Sequence, residues 1–408
     1  MQQRKTRRST HFARLCALTL CAMAAAGCAG HGAHTSQGLA VAQERMATIK
    51  AATQWDMARQ QFLTGDLDKA LKSVEEALAF NPSVAKSHSL KGRILLEMGQ
   101  LEQALRSFKQ ALAVDPSFEE AQYFLGVVYE RFNEYDLALQ AYRKAAELAP
   151  DDPQYAIAAA EMLIEQGKLD EAEALLLQGA GAFRHNAGVR QTLGHIALLR
   201  NQPSRAVKYF TQARLLAPDD PATLEDLAYA QMEAEQYAEA ERSLAQLLQD
   251  ESRKDRADLK RLRARTLVEL NRPVEARSLL LELSRDPQEA ADPQLWIDLA
   301  STALLIDDWR LVRQAAARAA GLAPRRYEPY MHLAAWARHR GDVETALRNI
   351  DKAIALAPVD PAPYMLQGLI LQESGRRDAA ARAYAKAAAM RQAGGRRDAL
   401  ATVEEDEP

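Results

Sequence analysis

Between residues 51 and 390 the apolar and polar positions repeat every 34 residues. Prolines mark the period. Pro82, Pro116, Pro150 and Pro218 are spaced by one, one and two periods, and Pro324 and Pro358 by one. Aligned on them, ten repeats begin near residues 51, 85, 119, 153, 187, 221, 257, 293, 327 and 361, with two-residue insertions before the seventh and the eighth. A period of this size marks a stacked array, in which each unit buries its face against its neighbours. The eighth place of every repeat is small, as in Ala58, Gly92, Gly126 and Gly194, and the twentieth is alanine except at Val312. A third small residue stands at the twenty-seventh place of most repeats, among them Ala77, Ala111 and Ala145. Antiparallel helices approach closely only where side chains are small, so these places predict the crossing inside a helix hairpin. Gly65, Gly99, Gly167, Gly341 and Gly375 fall between the two helices, where a left-handed turn residue is needed. Large apolar residues at the twenty-fourth place, such as Phe108, Tyr142 and Phe210, fill the space between hairpins. The proline stops the second helix because it cannot donate the next hydrogen bond. The pattern predicts an all-α chain of about ten hairpins.

The third repeat, with Leu125-Gly126, Tyr129, Tyr135, Ala138, Tyr142, Ala145 and Pro150, resembles the tetratricopeptide repeat. The resemblance covers residues 51–390 and implies a right-handed α-solenoid superhelix. It also implies a concave groove, lined by places two, five, six, nine, twelve and thirteen of each first helix. Those places hold Trp55 and Arg59 in the first repeat, Lys86 and Arg93 in the second, Tyr123 and Phe124 in the third, and Arg261 and Arg265 in the seventh. Aromatic anchors beside cations suit an extended peptide segment of a partner protein. Trp55 and Phe124 have a second role open to them, packing between adjacent first helices. Glu225, Asp226 and Glu233 make the sixth repeat's groove acidic beside the basic seventh, which fits either a segmented ligand or attraction across the groove. The family's clamp for C-terminal carboxylates requires asparagine where Arg59 and Arg93 stand, so that mode is not expected. Trp296, Tyr330, Tyr364 and Trp309 are core by position. The fourth repeat has Arg184 where proline belongs, and there, as in the sixth and seventh, irregular stacking or a joint is expected.

The first residues have a different grammar. Arg4, Lys5, Arg7, Arg8 and Arg14 precede an apolar run from Leu15 to Ala26, which fits a secretory signal and is too short to span a bilayer as a helix. Ala25-Ala26-Gly27-Cys28 then resembles the bacterial lipoprotein signal, which implies that residues 1–27 are removed and Cys28 is lipidated. An ordinary secretory signal cut nearby is the alternative. Two or more acyl chains anchor a protein stably. Ala29 after the cysteine points to an outer-membrane lipoprotein facing the periplasm. Residues 28–50 form a tether and leading helix, helix-compatible from Leu39 onward, in which His31 and His34 read as solvated rather than as metal ligands.

Lysine plus arginine is 52 and aspartate plus glutamate 55; without the leader the balance becomes 47 to 55. An acidic chain of this kind is not expected to bind nucleic acid. All three cysteines lie in the first 28 residues, which leaves none for a disulfide, metal site or nucleophile in the repeats. No phosphate loop, His-Glu-x-x-His or Gly-x-Ser-x-Gly spacing occurs, and no cofactor is expected. Arg340-Gly341-Asp342 matches an adhesion tripeptide but falls at a hairpin turn, where glycine is expected anyway. Residues 391–408 read as an acidic, disordered tail. The expectation is a non-enzymatic, lipid-anchored interaction scaffold of the bacterial envelope that assists pilus or secretin assembly. The alternative is a periplasmic scaffold of an exopolysaccharide export complex.

Overall fold

The structure is a computed structural model that describes residues 32–179, 181 and 183–404. Among these residues there are 20 α-helices and two short 3-10 turns, with no strand. The helices are α1 (Gly32–Leu63), α2 (Leu67–Phe80), α3 (Ala85–Glu97), α4 (Leu101–Val114), α5 (Glu119–Arg131), α6 (Tyr135–Leu148), α7 (Pro153–Glu165), α8 (Leu169–Gln178), α9 (Ala187–Leu199) and α10 (Pro203–Leu216). They continue as α11 (Pro221–Glu233), α12 (Tyr237–Leu247), α13 (Ala257–Glu269), α14 (Pro273–Leu283), α15 (Pro293–Leu305), α16 (Trp309–Leu322), α17 (Glu328–His339), α18 (Val343–Leu356), α19 (Pro361–Glu373) and α20 (Arg377–Glu404). Each 34-residue repeat is one hairpin, its first helix odd-numbered and its second even-numbered. The chain forms two compact blocks that divide between Thr192 and Leu193, inside α9. Within each block the all-α solenoid stacks hairpin on hairpin. No described helix is long and apolar enough to cross a membrane.

Size complementarity sets the crossing inside each hairpin. Where the twenty-fourth place is aromatic, the eighth is glycine. A Cβ built on Gly92, Gly126 or Gly194 would lie 2.6 Å from the ring of Phe108, Tyr142 or Phe210, and one on Gly368 would lie 2.5 Å from Tyr384. Where the twenty-fourth place is aliphatic, as in Val74, Leu176, Leu244 and Ile350, the eighth is alanine, namely Ala58, Ala160, Ala228 and Ala334, all fully buried. The eighth hairpin exchanges sizes between two other places: Val312 replaces the usual alanine and Ala316 the usual large residue, and both are fully buried. Close packing permits no surplus methyl group at these crossings.

Every hairpin turn has a left-handed residue at its fifteenth place. Five are the glycines, with φ between 73° and 79°; the others are Asn133, Asn201, Glu235, Asn271 and Asp307, with φ between 56° and 60°. Asparagine and aspartate tolerate this conformation by local hydrogen bonding, whereas Glu235 adopts it at a steric cost. First helices of repeats four, six, eight and ten begin with Asp-Pro. The carboxylates of Asp152, Asp220, Asp292 and Asp360 each accept a hydrogen bond from the backbone N–H two residues on, and proline fits the first helical position.

Four departures from regularity stand out. Helix α8 spans only ten residues and is followed by the 3-10 turn Phe183–His185, in the repeat that lacks its proline. Helices α12 and α14 have 11 residues where most second helices have 14, and the insertions occupy the linkers after them. At the N-terminus, α1 begins at Gly32 rather than near Leu39, since no proline interrupts residues 32–63. At the other end, α20 runs through Gly394-Gly395 to Glu404. Alanine, leucine and arginine carry the helix there, against a cost of about 1 kcal/mol for each glycine relative to alanine.

Candidate functional site

On a first helix, places two, five, six, nine and thirteen fall on one face because the helix turns every 3.6 residues. In the N-terminal block this face collects cations on aromatic rings. The Trp55 ring, half-buried on the core of its own hairpin, donates from Nε1 to the Lys86 carbonyl at 3.4 Å. The Lys86 ammonium stands 4.4 Å from the Trp55 ring centroid, and the Arg59 guanidinium 5.9 Å from it. Arg93 lies 5.2 Å from the ring of Phe62 and 4.9 Å from that of Phe124, and its Nη1 donates to Glu120 at 2.8 Å. Phe124 stacks on the buried Phe108 with centroids 5.8 Å apart and an interplanar angle of 11°. Phe124 is half-buried, with one face against the second helix of the preceding hairpin and Arg93 beside its ring. Tyr123 has the rings of Phe124, Tyr142 and Tyr155 at 5.2, 5.5 and 5.4 Å. Burial, aided by the charge on Asp152, pushes the Tyr155 phenol up to about 12. Burial and a hydrogen bond donated to Glu130 push Tyr142 higher still. These hydroxyls remain neutral donors.

The C-terminal block treats its cations differently. Arg261 pairs with Glu289 at 2.7 Å and with Asp292, while Arg265 pairs with Asp298 at 3.2 Å. Both reach forward to the eighth hairpin. They do not reach back to the acidic sixth, whose Glu225 instead accepts from Arg253 at 3.0 Å and Arg256 at 3.2 Å. Asp226 faces His195 at 3.3 Å. The ninth place of one hairpin thus meets the sixth place of the next through His195–Asp226, Arg265–Asp298 and Ser301–His332, the last at 3.1 Å. Burial pushes the His332 imidazole down to about 4, against the opposing charge of Glu328. Tyr330 and Tyr364 are core residues whose hydroxyls donate to the carbonyls of Pro324 and Pro358. Trp296 is half-buried and bonds the Ala290 carbonyl at 2.8 Å.

The polar series skips the step between the sixth and seventh hairpins, where Tyr229 and Leu262 take the ninth and sixth places. The Tyr229 side chain is 49% exposed. On one side of it lies a cleft of about 370 Å³ walled by His195, Leu198, Leu199, Pro203 and Glu233. On the other lies a second cleft, of about 470 Å³, walled by Asp258, Leu262, Arg265 and Glu289. Tyr229 was legible as a groove residue from its ninth place, but the neighbouring acids drew the reading of that repeat toward charge. Among the described residues no cluster of three histidine, cysteine or acidic side chains could hold a metal ion. Cys28 lies outside the described residues.

Tetratricopeptide-repeat family models match residues 89–153, and further residues 131–196, 163–223 and 197–265 in overlapping segments. Residues 89–265 are tetratricopeptide repeats. No curated protein sequence matches the chain. Solved structures similar to this repeat protein include PilF of Pseudomonas aeruginosa, 25% identical, covering 49% of this chain and 90% of that one with a TM-score of 0.43. PilW, a type IV pilus biogenesis factor, is 21% identical over 49% of this chain and 93% of that one, TM-score 0.43. A repeat protein from Parabacteroides merdae is 16% identical over 57% and 91% of the two chains, TM-score 0.45. As a repeat protein, the chain has the fold of an interaction scaffold.

Proposed function

We propose that this chain is a lipid-anchored scaffold of a bacterial envelope that binds an extended segment of a partner protein along its first helices, with Tyr229 as the central anchor. The observation that carries the reading is the exposed Tyr229 ring between two clefts, in a line of groove residues that includes the pairs His195–Asp226 and Arg265–Asp298. Aromatic side chains with apolar walls and a few hydrogen-bonding groups at their edge are the usual hot spots of peptide recognition. Peptides selected from a display library on the purified chain test it. Tyr229→Ala should weaken the selected peptides about tenfold with the fold unchanged, as expected for loss of an aromatic anchor. Unchanged affinity would move the site elsewhere.

The anchor rests on the lipoprotein-like residues around Cys28. Cys28→Ser should release the protein from the membrane fraction, and membrane association that persists counts against lipidation. The finer role we assign is assistance to pilus or secretin assembly, on the layout of a lipoprotein leader ahead of a repeat array. Genome neighbourhood separates this role from the exopolysaccharide-export alternative: pilus and secretin genes nearby support the first, glycosyltransferase and polymerase genes the second.

A further inference from the structure

One stretch of the C-terminal block carries more arginines than its acids can pair. Residues 309–392 hold fourteen lysines and arginines against seven acidic residues, within a chain whose totals are 52 and 55. Three of the fourteen are neutralised, Arg326 by Glu328, Arg338 by Glu373 and Arg376 by Glu344. Arg313 on α16 and Arg340 at the end of α17 make no ion pair with any described carboxylate. Both instead flank one indole: their guanidinium carbons lie 5.0 Å and 5.4 Å from the Trp336 ring centroid. Beside them Trp309, the first residue of α16, stacks on His339 with centroids 4.0 Å apart and rings 9° from parallel. Arg313, His339 and Arg340 are exposed, and the two tryptophans are half-buried. The nearest acid in sequence, Asp342, caps α18 by accepting from the Thr345 N–H at 3.0 Å; that hydrogen bond, with the nearby charges of Arg348 and Arg340, holds its carboxyl below the usual range without an ion pair to Arg340.

This is an unusual place to leave two cations. An arginine lying on an aromatic ring keeps its fork of N–H donors turned outward, where carboxylates are recognised in bidentate fashion. Two guanidiniums on one ring also repel each other, and an anion between or beside them relieves that repulsion. Since each is about 5 Å from the same centroid, they are no more than about 10 Å apart. Carboxylates on alternate residues of an extended chain lie on one side of it, about 7 Å apart at the backbone, within reach of both forks. His339 occupies the thirteenth place of its repeat, a groove place, but Trp336 and Arg340 stand at the tenth and fourteenth, and Trp309 and Arg313 belong to the second helix α16, so the patch is separate from the face on which Tyr229 stands.

We propose that Trp309, Arg313, Trp336, His339 and Arg340 form a docking patch for an acidic, extended segment of a partner protein, with Asp or Glu at alternate positions. The inference rests on reading the chain as a peptide-binding scaffold, but not on Tyr229 being its anchor. Fluorescence anisotropy of a labelled Gly-Glu-Gly-Glu-Gly-Glu peptide with the full chain tests it, with the Gly-Gln counterpart as reference. The acidic peptide should bind at low salt at least tenfold more tightly than the glutamine peptide, weaken as salt rises, and quench tryptophan emission. The pair Arg313→Ala with Arg340→Ala should lose at least tenfold while circular dichroism and thermal melting stay unchanged, and the lysine pair should recover part of the loss. Tyr229→Ala should leave this binding intact. Equal binding of the glutamine peptide, or indifference to the arginine pair, overturns the proposal. So does sensitivity to Tyr229→Ala alone, which places the peptide in the groove. Vesicles of phosphatidylcholine with phosphatidylglycerol, and a thymidine oligonucleotide, complete the test. Arginine-dependent binding to either of these without binding of the acidic peptide reassigns the patch and also overturns the proposal.

Discussion

The first-helix faces of the two blocks balance their cations differently on the same repeated backbone. In the N-terminal block Lys86 stands over Trp55, and Arg93 lies near the rings of Phe62 and Phe124 while also pairing with Glu120 at 2.8 Å. In the C-terminal block Arg253, Arg256, Arg261 and Arg265 each meet a carboxylate. A ring attracts a cation through its quadrupole and leaves most of the N–H donors available, whereas a carboxylate neutralises the charge and occupies them. The difference teaches where affinity for an anionic or polar ligand can remain. It survives beside Trp55 in the N-terminal block, and in the C-terminal block where the pairing lapses, as at Tyr229 and at Trp336.

The sharpest way to break the comparison is to remove one carboxylate that serves two arginines. Glu225→Ala removes a shared partner from Arg253 and Arg256, whose side chains are 22% and 41% exposed, and leaves them only the more exposed Asp250 and Asp258. Losing a charge-assisted partner at a partly buried site costs about 2 kcal/mol. Amide exchange should therefore accelerate about tenfold or more in α11 to α13, with α3 to α7 unaffected, because a repeat array transmits stability mainly between neighbours. Unchanged protection in α11 to α13 would mean that these ion pairs are ornaments of the surface, and that the two blocks do not differ energetically.

A second probe uses acid. His332, bonded to Ser301 in the C-terminal block, titrates near 4 in the folded chain and near the ordinary 6.5 when unfolded. Between those values the unfolded state binds the extra proton. Stability is thus undiminished above about pH 6.5 and declines as pH falls toward 4. Replacing His332 with glutamine should flatten the thermal-melting curve in that window. A decline of the same slope in His332→Gln assigns the effect to other groups and removes histidine from the comparison.

Much of this was visible in the sequence. The hairpins, their turns and their small crossing places follow from a 34-residue period, because each helix pair must satisfy the same crossing in every copy. Even the exchange at Val312 and Ala316 could be read from the break in the alanine series. The partners of charged groove residues were less legible. Place numbers give the face a side chain occupies, but an arginine has four rotatable bonds and several acids within reach. Whether Arg261 turned back to the sixth hairpin or forward to Glu289 and Asp292 was left open by spacing alone. Phe124 was open for a related reason: a ring at a groove place can face solvent or stack inward, and this one, half-buried on Phe108, does part of each. Tyr229 stood at a groove place from the start, and only its exposure between two clefts separates it from Tyr123, which is enclosed by other tyrosines.

The smallest effect tests the aromatic half of the comparison. Lys86 is exposed, and its interaction with Trp55 is a surface cation–π contact worth about 0.5 kcal/mol. Lys86→Ala should lower the stability of the first two hairpins by about that amount, and the loss should persist in about 1 M salt, where surface ion pairs are screened. The backbone carbonyl of residue 86 remains, so the Trp55 Nε1 hydrogen bond is retained and the change isolates the ammonium. Lys86→Met separates charge from hydrocarbon, since methionine keeps an apolar stem over the ring. If the Met variant matches the wild type, the lysine acts through its methylenes. The N-terminal block would then hold its cations by apolar contact rather than by the ring's field, and the contrast with the C-terminal block would narrow to one of burial.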